Sequence, residues 1–279
     1  MKVGVLANVY REPRLQAARE VIKAFVRLGA DISVDLPIAK EFPGFPFFER
    51  TDVSTAPDML VTVGGDGTIL SVISEAARRK IPILGINFGT VGFLAELEQG
   101  EFSGFLDRIA AGDYKIEERT MLELTVNGER PEKLALNEFL ISRGTTARMI
   151  HLDVFADGNL LDSYRADGFM VSTPTGSTAY ALAAGGPLME PSIRAFSLVP
   201  VSAHSLHSRP IIVGDGETVT AKLKDDKAPT VIVADGEIIR EVTSKDEIRI
   251  RRAKERALFI RLKPQNFYER LKTKLERWS

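Results

Sequence analysis

The hydrophobic pattern of this chain changes once, near residue 113, and that change limits the folds open to it. Before it, apolar runs alternate with helical periodicity. Residues 2–7, KVGVLA, form a first short apolar run. A helical pattern follows, with Leu15, Ala18, Ile22, Phe25 and Val26 on one face and Gly29 as its stop. DISVDL (31–36) reads as a strand and the proline-bearing stretch 41–57 as a loop. DMLVTVGG (58–65) is a strand ending in glycines, TILSVISEAARRK (68–80) a helix and IPILGINF (81–88) another strand. Strands apolar on both faces and separated by helices predict a parallel sheet of α/β type. Beyond residue 113 the runs are short and alternating. They are broken by VNGE (126–129), ADGN (156–159), GDGE (214–217) and ADGE (234–237), so this half is predicted to be mostly β. Phe267, Leu271 and Leu275 then recur four apart and predict a terminal amphipathic helix with a charged outer face.

Composition narrows the classes further. A chain of 279 residues makes one large domain or two of moderate size. Lys and Arg number 37 and Asp and Glu 38, a balance of −1 that argues against bulk binding to nucleic acid or an anionic membrane. With no cysteine there is no disulfide, thiol nucleophile or Cys-ligated metal. That fits a reducing compartment, and the opening MKVGVLANVY has no export-signal pattern, so a cytoplasmic setting is expected. The three histidines form no metal pattern, and no metal bound by the protein's own side chains is expected. The longest charge-free stretch, Gly168 to Met189, is long enough to span a bilayer. Its prolines, glycines and five hydroxyls between Ser172 and Thr178 contradict that reading and suit the lining of a polar ligand site.

Four stretches carry chemistry. In VTVGGDGTIL a buried strand delivers Gly64, Gly65, Asp66, Gly67 and Thr68 into a helix start. Glycines permit close backbone approach, and consecutive amides at a helix N-terminus form an anion cradle. Asp66 is an odd anchor for phosphate unless it binds Mg²⁺ or takes a proton from a nucleophile. The Asp-Gly pair alone is a common turn signal, and it recurs at 157, 167, 215 and 235. The stretch has neither the GxGxxG spacing of a dinucleotide fold nor the lysine of a Walker loop. The second stretch, Tyr164 to Pro187, adds Arg165 and Asp167, hydroxyls that include Thr175 and Thr178, and Tyr180 with a flat face and a hydroxyl. The third, NFGTVGFL (87–94), follows a strand and so belongs on the same sheet edge as GGDGT; Asn87 is polar and Phe93 can stack on a base. The fourth is the pair Asn137-Glu138, which also suits a turn or a cap.

Together these stretches, in this order, resemble the NAD kinase family, whose members phosphorylate NAD to NADP. The resemblance spans nearly the whole chain and rests most on TPTGSTAY (173–180). It implies an N-terminal α/β domain over 1–112 that supplies the phosphate-donor site and is completed by the helix at 263–279. A β-rich NAD-binding domain over 113–262 and a homodimer or homotetramer are implied as well. It implies NAD and ATP, or another triphosphate or polyphosphate, as substrates, with Mg²⁺ carried mainly by the donor. By the same resemblance Asp66 is the catalytic carboxylate near the adenosine 2′-hydroxyl, and Gly64, Gly65, Gly67 and Thr68 flank the donor phosphates. Phe93 lies near the adenine, and Asn137 and Glu138 at the ribose region. Asp167 lies at the nicotinamide end, and Thr178 and Tyr180 contact adenine and ribose, with Asp235 a further acid. Arg165 stands where a basic residue accompanies preference for NAD over NADH. Two other readings stay open: a lipid kinase of the same superfamily, which needs an apolar acceptor groove, and a non-catalytic NAD-binding regulator, which could dispense with Asp66.

Overall fold

The computed structural model describes residues 1–7, 12–50, 57–88, 92–130, 133–205, 207–264 and 267–278. The chain divides into two units, Met1–Glu118 with Arg256–Ser279, and Arg119–Glu255. The breaks fall inside long strands rather than at 112/113 and 262/263.

In the first unit the chain runs β1 (Lys2–Ala7), α1 (Glu12–Arg27), β2 (Asp31–Asp35), β3 (Phe47–Phe48), β4 (Met59–Gly64), α2 (Asp66–Arg79), β5 (Ile83–Asn87), β6 (Leu97–Glu98) and α3 (Phe102–Ala110). The strands pair in parallel in the order β5-β4-β1-β2-β3. Every residue of β4 and β5 is buried, as a sheet covered on both faces requires. Leu15, Ala18, Ile22 and Phe25 of α1 pack with Val3, Val5, Val61 and Val63 of the sheet. Val26, expected on that face, is instead 47% exposed. Helix α1 stops before Gly29, whose φ of 71° suits a residue without Cβ. The stretch expected to be loop holds β3, and its residues 51–56 lie outside the described residues.

The second unit is built from β7 (Lys115–Val126), β8 (Glu138–Arg143), β9 (Ile150–Ala156), β10 (Asn159–Ala166), β11 (Gly168–Ser172), α4 (Tyr180–Ala183), β12 (Ala195–Val201), β13 (Ile211–Gly214), β14 (Val219–Leu223), β15 (Thr230–Ala234), β16 (Glu237–Val242) and β17 (Glu247–Arg261). β7 and β17 each have one end in the first unit. One antiparallel sheet runs β13-β12-β11-β8-β15-β16; the other sets β10, β9, β14 and the start of β17 side by side. Leu122, Phe139, Ile141, Leu152, Val154, Phe169 and Phe196 from the two sheets form one apolar core. Three predicted turns are hairpin turns with two successive positive φ values: Asn127-Gly128 (54° and 84°), Asp157-Gly158 (45° and 82°) and Asp235-Gly236 (47° and 88°). GDGE closes instead through a Glu217 amide to Gly214 carbonyl bond of 3.1 Å. Asp167-Gly168 is not a turn but the start of β11, where a Cβ on Gly168 would meet Leu140 and the Ile141 carbonyl at 2.9 and 3.0 Å.

The chain ends in α5 (Phe267–Trp278), which belongs to the first unit. Its charged face is not all solvated, because Arg270 is half-buried. The side chain of Leu275 lies outside the described residues.

Candidate functional site

In the first unit, the carboxyl ends of β4 and β5 lie next to each other, with Gly64 paired to Asn87. The Phe88 amide donates to the Gly64 carbonyl at 3.2 Å. GGDGT therefore starts α2 at the end of the sheet where open α/β folds bind ligands. A Cβ on Gly64 would lie 2.3 Å from Thr68 Oγ1, so the turn into the helix requires glycine there. Gly65 caps α2, and Gly67 is exposed in the first turn. The half-buried Asp66 accepts hydrogen bonds on both oxygens, from the Phe93 amide at 2.8 Å on Oδ2 and the Leu94 amide at 3.2 Å on Oδ1. Gly92 makes this possible: a Cβ there would lie 2.0 Å from Asp66 Oδ1. Asn87, fully buried, donates through Nδ2 to Glu98 at 2.9 Å, while its Oδ1 accepts nothing from the described residues. Residues 89–91 of the NFGTVGFL stretch lie outside the described residues.

In the second unit the Asn137-Glu138 pair opens β8 and meets the hairpin turn at Asp235. Asp235 accepts the amides of Leu136, Asn137 and Glu138 at 2.7, 2.8 and 3.0 Å. Burial pushes the Asp235 carboxyl up against the pull of those amides. Burial, and secondarily the negative charge of Asp235, push Glu138 up to about 8, and its Oε2 accepts nothing from the described residues.

The TPTGSTAY loop locks onto the same place. Thr173 donates to the Leu136 carbonyl at 2.6 Å and accepts the Gly176 amide at 3.0 Å. A Cβ on Gly176 would stand 2.3 Å from the Asn137 carbonyl. Ser172 donates to the backbone of Asn137 and Thr173, and Ser177 to that of Pro174 and Met189. These hydroxyls, expected from the sequence to face a ligand, instead hold the loop. Thr175 accepts from Arg119 at 3.3 Å, and the half-buried Thr178 donates to the Thr175 carbonyl at 3.1 Å. Tyr180 stands exposed.

Asp167 and Tyr180 line a cavity of about 520 Å³ with Ser142, Arg143, Thr146 and Ser202. The cation on Asp167 is Arg143, whose Nε lies 2.9 Å from Asp167 Oδ1 and whose Nη1 donates to the Thr146 carbonyl at 2.6 Å. Arg165 is exposed on β10 opposite His151. Sequence reading missed Arg143 because strand register, which sets residue 143 against residue 167, is not written in spacing. Gly92 lies within the NFGTVGFL stretch, and only the position of Asp66 shows its purpose.

Comparison with known proteins agrees with this geometry. The model of the ATP-NAD kinase N-terminal domain matches residues 3–114 and that of the C-terminal domain residues 136–262. The chain is 35% identical to an NAD kinase of Methanothermobacter thermautotrophicus over 275 residues, 99% of this chain and 96% of the relative. It is 37% identical to an NAD kinase of Thermococcus gammatolerans over 265 residues, 94% of each. An NAD kinase from Archaeoglobus fulgidus in complex with ATP superposes with a TM-score of 0.75 at 27% identity, covering 98% of this chain and 99% of that one. A yeast NADH kinase complexed with NADH shares the fold, with a TM-score of 0.87 at 24% identity over 99% of this chain and 87% of that one. From GGDGT in the first unit to the locked TPTGSTAY loop in the second, the motifs lie within one continuous relationship, and the chain belongs to the ATP-NAD kinase family.

Proposed function

We propose that this NAD kinase moves a phosphoryl group from ATP to the adenosine 2′-hydroxyl of NAD, with Asp66 as the group that receives or orients the hydroxyl proton. The observation that carries the proposal is the pinning of both Asp66 oxygens by the Phe93 and Leu94 amides. Each carboxylate oxygen keeps a second lone pair, so one stays available to a substrate hydroxyl. Phosphoryl transfer asks a protein for position and charge compensation more than covalent chemistry. The amides of the GGDGT loop at the start of α2 supply the second, with Thr68 and Gly64 fixing the loop's shape. Asn87, beside Gly64, and Phe93, beside Asp66, complete the first unit's share.

In the second unit Asn137, Glu138, Asp235, Thr175, Thr178 and Tyr180 form the NAD side, with Asp167 toward the nicotinamide end and Tyr180 offering its ring. The described residues hold no group of three metal-ligating side chains, and both Asp66 oxygens already accept amides. Mg²⁺ enters as the companion of the donor's phosphates. The cysteine-free composition supports a cytoplasmic setting. Assembly as a homodimer or homotetramer belongs to the same reading.

The test is incubation with NAD, ATP and Mg²⁺, with NADP measured by an NADP-specific dehydrogenase. NADP should accumulate with the wild type. Asp66→Asn should still bind NAD while turning over at least ~10²-fold more slowly, the loss typical of a removed general base. Normal turnover by that variant would remove Asp66 from the chemistry.

A further inference from the structure

The amides of Phe93 and Leu94 face Asp66, and the carbonyls of the same stretch face two guanidinium groups. Arg270 Nη1 donates to the Phe93 carbonyl at 3.2 Å and to the Ala95 carbonyl at 3.2 Å. Arg261 Nη1 donates to the carbonyl in between, that of Leu94, at 2.9 Å. The Phe93 carbonyl and the Leu94 amide belong to one peptide unit. That unit has a cation at its oxygen and the Asp66 carboxylate at its N–H. A hydrogen bond accepted at one end of a peptide polarises the donor at the other end.

Arg270 is itself held. Its Nη2 lies 3.4 Å from Glu96, a buried carboxylate that also accepts the Leu262 and Lys263 amides at 2.8 Å each. The two arginines are not equivalent. Arg261 is fully buried and also pairs with Glu96 and Glu117, so removing it strands buried charge. Arg270 comes from the terminal helix α5, is 24% exposed, and reaches this loop from an element that carries none of the sequence motifs.

We propose that Arg270 is a positioning residue for phosphoryl transfer, holding the Asp66 carboxylate in place through the peptide unit that joins Phe93 to Leu94. The inference rests on the reading of Asp66 given above. It makes the terminal helix part of the catalytic apparatus through one side chain.

The experiment compares wild type, Arg270→Ala, Arg270→Lys, Asp66→Asn and the Asp66→Asn/Arg270→Ala double variant. It measures kcat, KM for NAD and for ATP, and thermal melting. A carboxylate displaced by a fraction of an ångström costs turnover, so Arg270→Ala should lose roughly 10- to 100-fold in kcat. Its KM values should stay within about twofold, since uniform binding is untouched. Arg270→Lys keeps the charge but lacks the second nitrogen that anchors the guanidinium on Glu96, and should recover only part of the loss. Added guanidinium ion should restore part of the turnover of Arg270→Ala and none of that of Asp66→Asn. In the Asp66→Asn background, Arg270→Ala should cost nothing further, because both act through one carboxylate.

Wild-type kcat in Arg270→Ala, a loss accounted for by the melted fraction, or additive losses in the double variant would each overturn the proposal. If Arg270→Ala does not fold, Arg270→Lys decides, and full kcat there overturns it. Normal turnover in Asp66→Asn would instead sink the reading of Asp66 and this inference with it. A dead Asp66→Asn beside a normal Arg270→Ala would sink this inference alone.

Discussion

Two acidic side chains of the second unit show how differently carboxylates are used. Asp167 has a cation, Arg143, on a partly exposed pair beside the 520 Å³ cavity. The nicotinamide ring is cationic in NAD and neutral in NADH, so, on the proposed placement of Asp167 at the nicotinamide end, uncompensated charge there would favour NAD. A partly exposed ion pair is worth up to about 1 kcal/mol, so Arg143→Gln should lower the ratio of NADH to NAD phosphorylation about threefold to fivefold. Arg165→Gly, at an exposed strand position, should leave that ratio within about twofold. Paired initial-rate assays with the two substrates check both, and an unchanged ratio in Arg143→Gln would refute the charge argument.

Glu138 is the opposite case: buried and pushed up to about 8 from the 4.5 of a free side chain. The folded state therefore holds a proton there that the unfolded state releases above 4.5. The stabilisation is present below pH 4.5 and is lost as pH rises through about 8. Glu138→Gln imitates the protonated form. Its melting temperature should gain on the wild type by several degrees between pH 5 and 8.5. A constant difference across that range would mean Glu138 is ionised throughout.

At the scale of elements, sequence periodicity sufficed where a residue's surroundings are local. The parallel strands were legible because both their faces are apolar, and the hairpins because Asn-Gly and Asp-Gly favour paired positive φ. Asp167-Gly168 broke that rule because its glycine answers to neighbouring strand β8 rather than to a turn. The hydroxyls of Ser172, Thr173 and Ser177 read from the sequence as the lining of a polar ligand site. Only the backbone carbonyls of residues 136, 137, 174 and 189 decide for ties. Arg270 stayed hidden because a charge on an amphipathic helix is ordinarily solvated.

Glycines separate the same way. Gly104 in α3 would meet nothing within 4 Å as alanine, so Gly104→Ala should stabilise the fold by about 0.5–1 kcal/mol, read by denaturant titration. Gly92→Ala should cost stability as well as roughly 10- to 100-fold in turnover, because the new methyl displaces the Asp66 carboxylate from its two amides. Full activity in Gly92→Ala would show that the carboxylate tolerates the shift.

At the scale of the whole molecule, the two units offer different chemistry. The first offers a glycine loop at a helix start and one pinned carboxylate, which suits triphosphate oxygens and a hydroxyl proton. The second offers a polar cavity, a buried acid pair and a loop fixed by its own hydroxyls, which suits a dinucleotide. A ligand that binds only the folded state stabilises what it touches by RT ln(1 + [L]/Kd), about 2.7 kcal/mol at a hundredfold excess over Kd. Local opening in the unit it occupies becomes rarer by the corresponding factor, about 10² for amides that exchange through that opening. Hydrogen exchange followed peptide by peptide therefore reads which unit takes which substrate. NAD alone should slow exchange most over residues 136–143 and 167–180, and less over 64–68, where Asp66 alone meets it. ATP with Mg²⁺ should slow 64–68 most and leave 136–143 nearly unchanged. The reverse pattern would exchange the roles of the two units. Protection of 64–68 by NAD as strong as that by ATP would mean that the GGDGT loop belongs to the acceptor as much as to the donor.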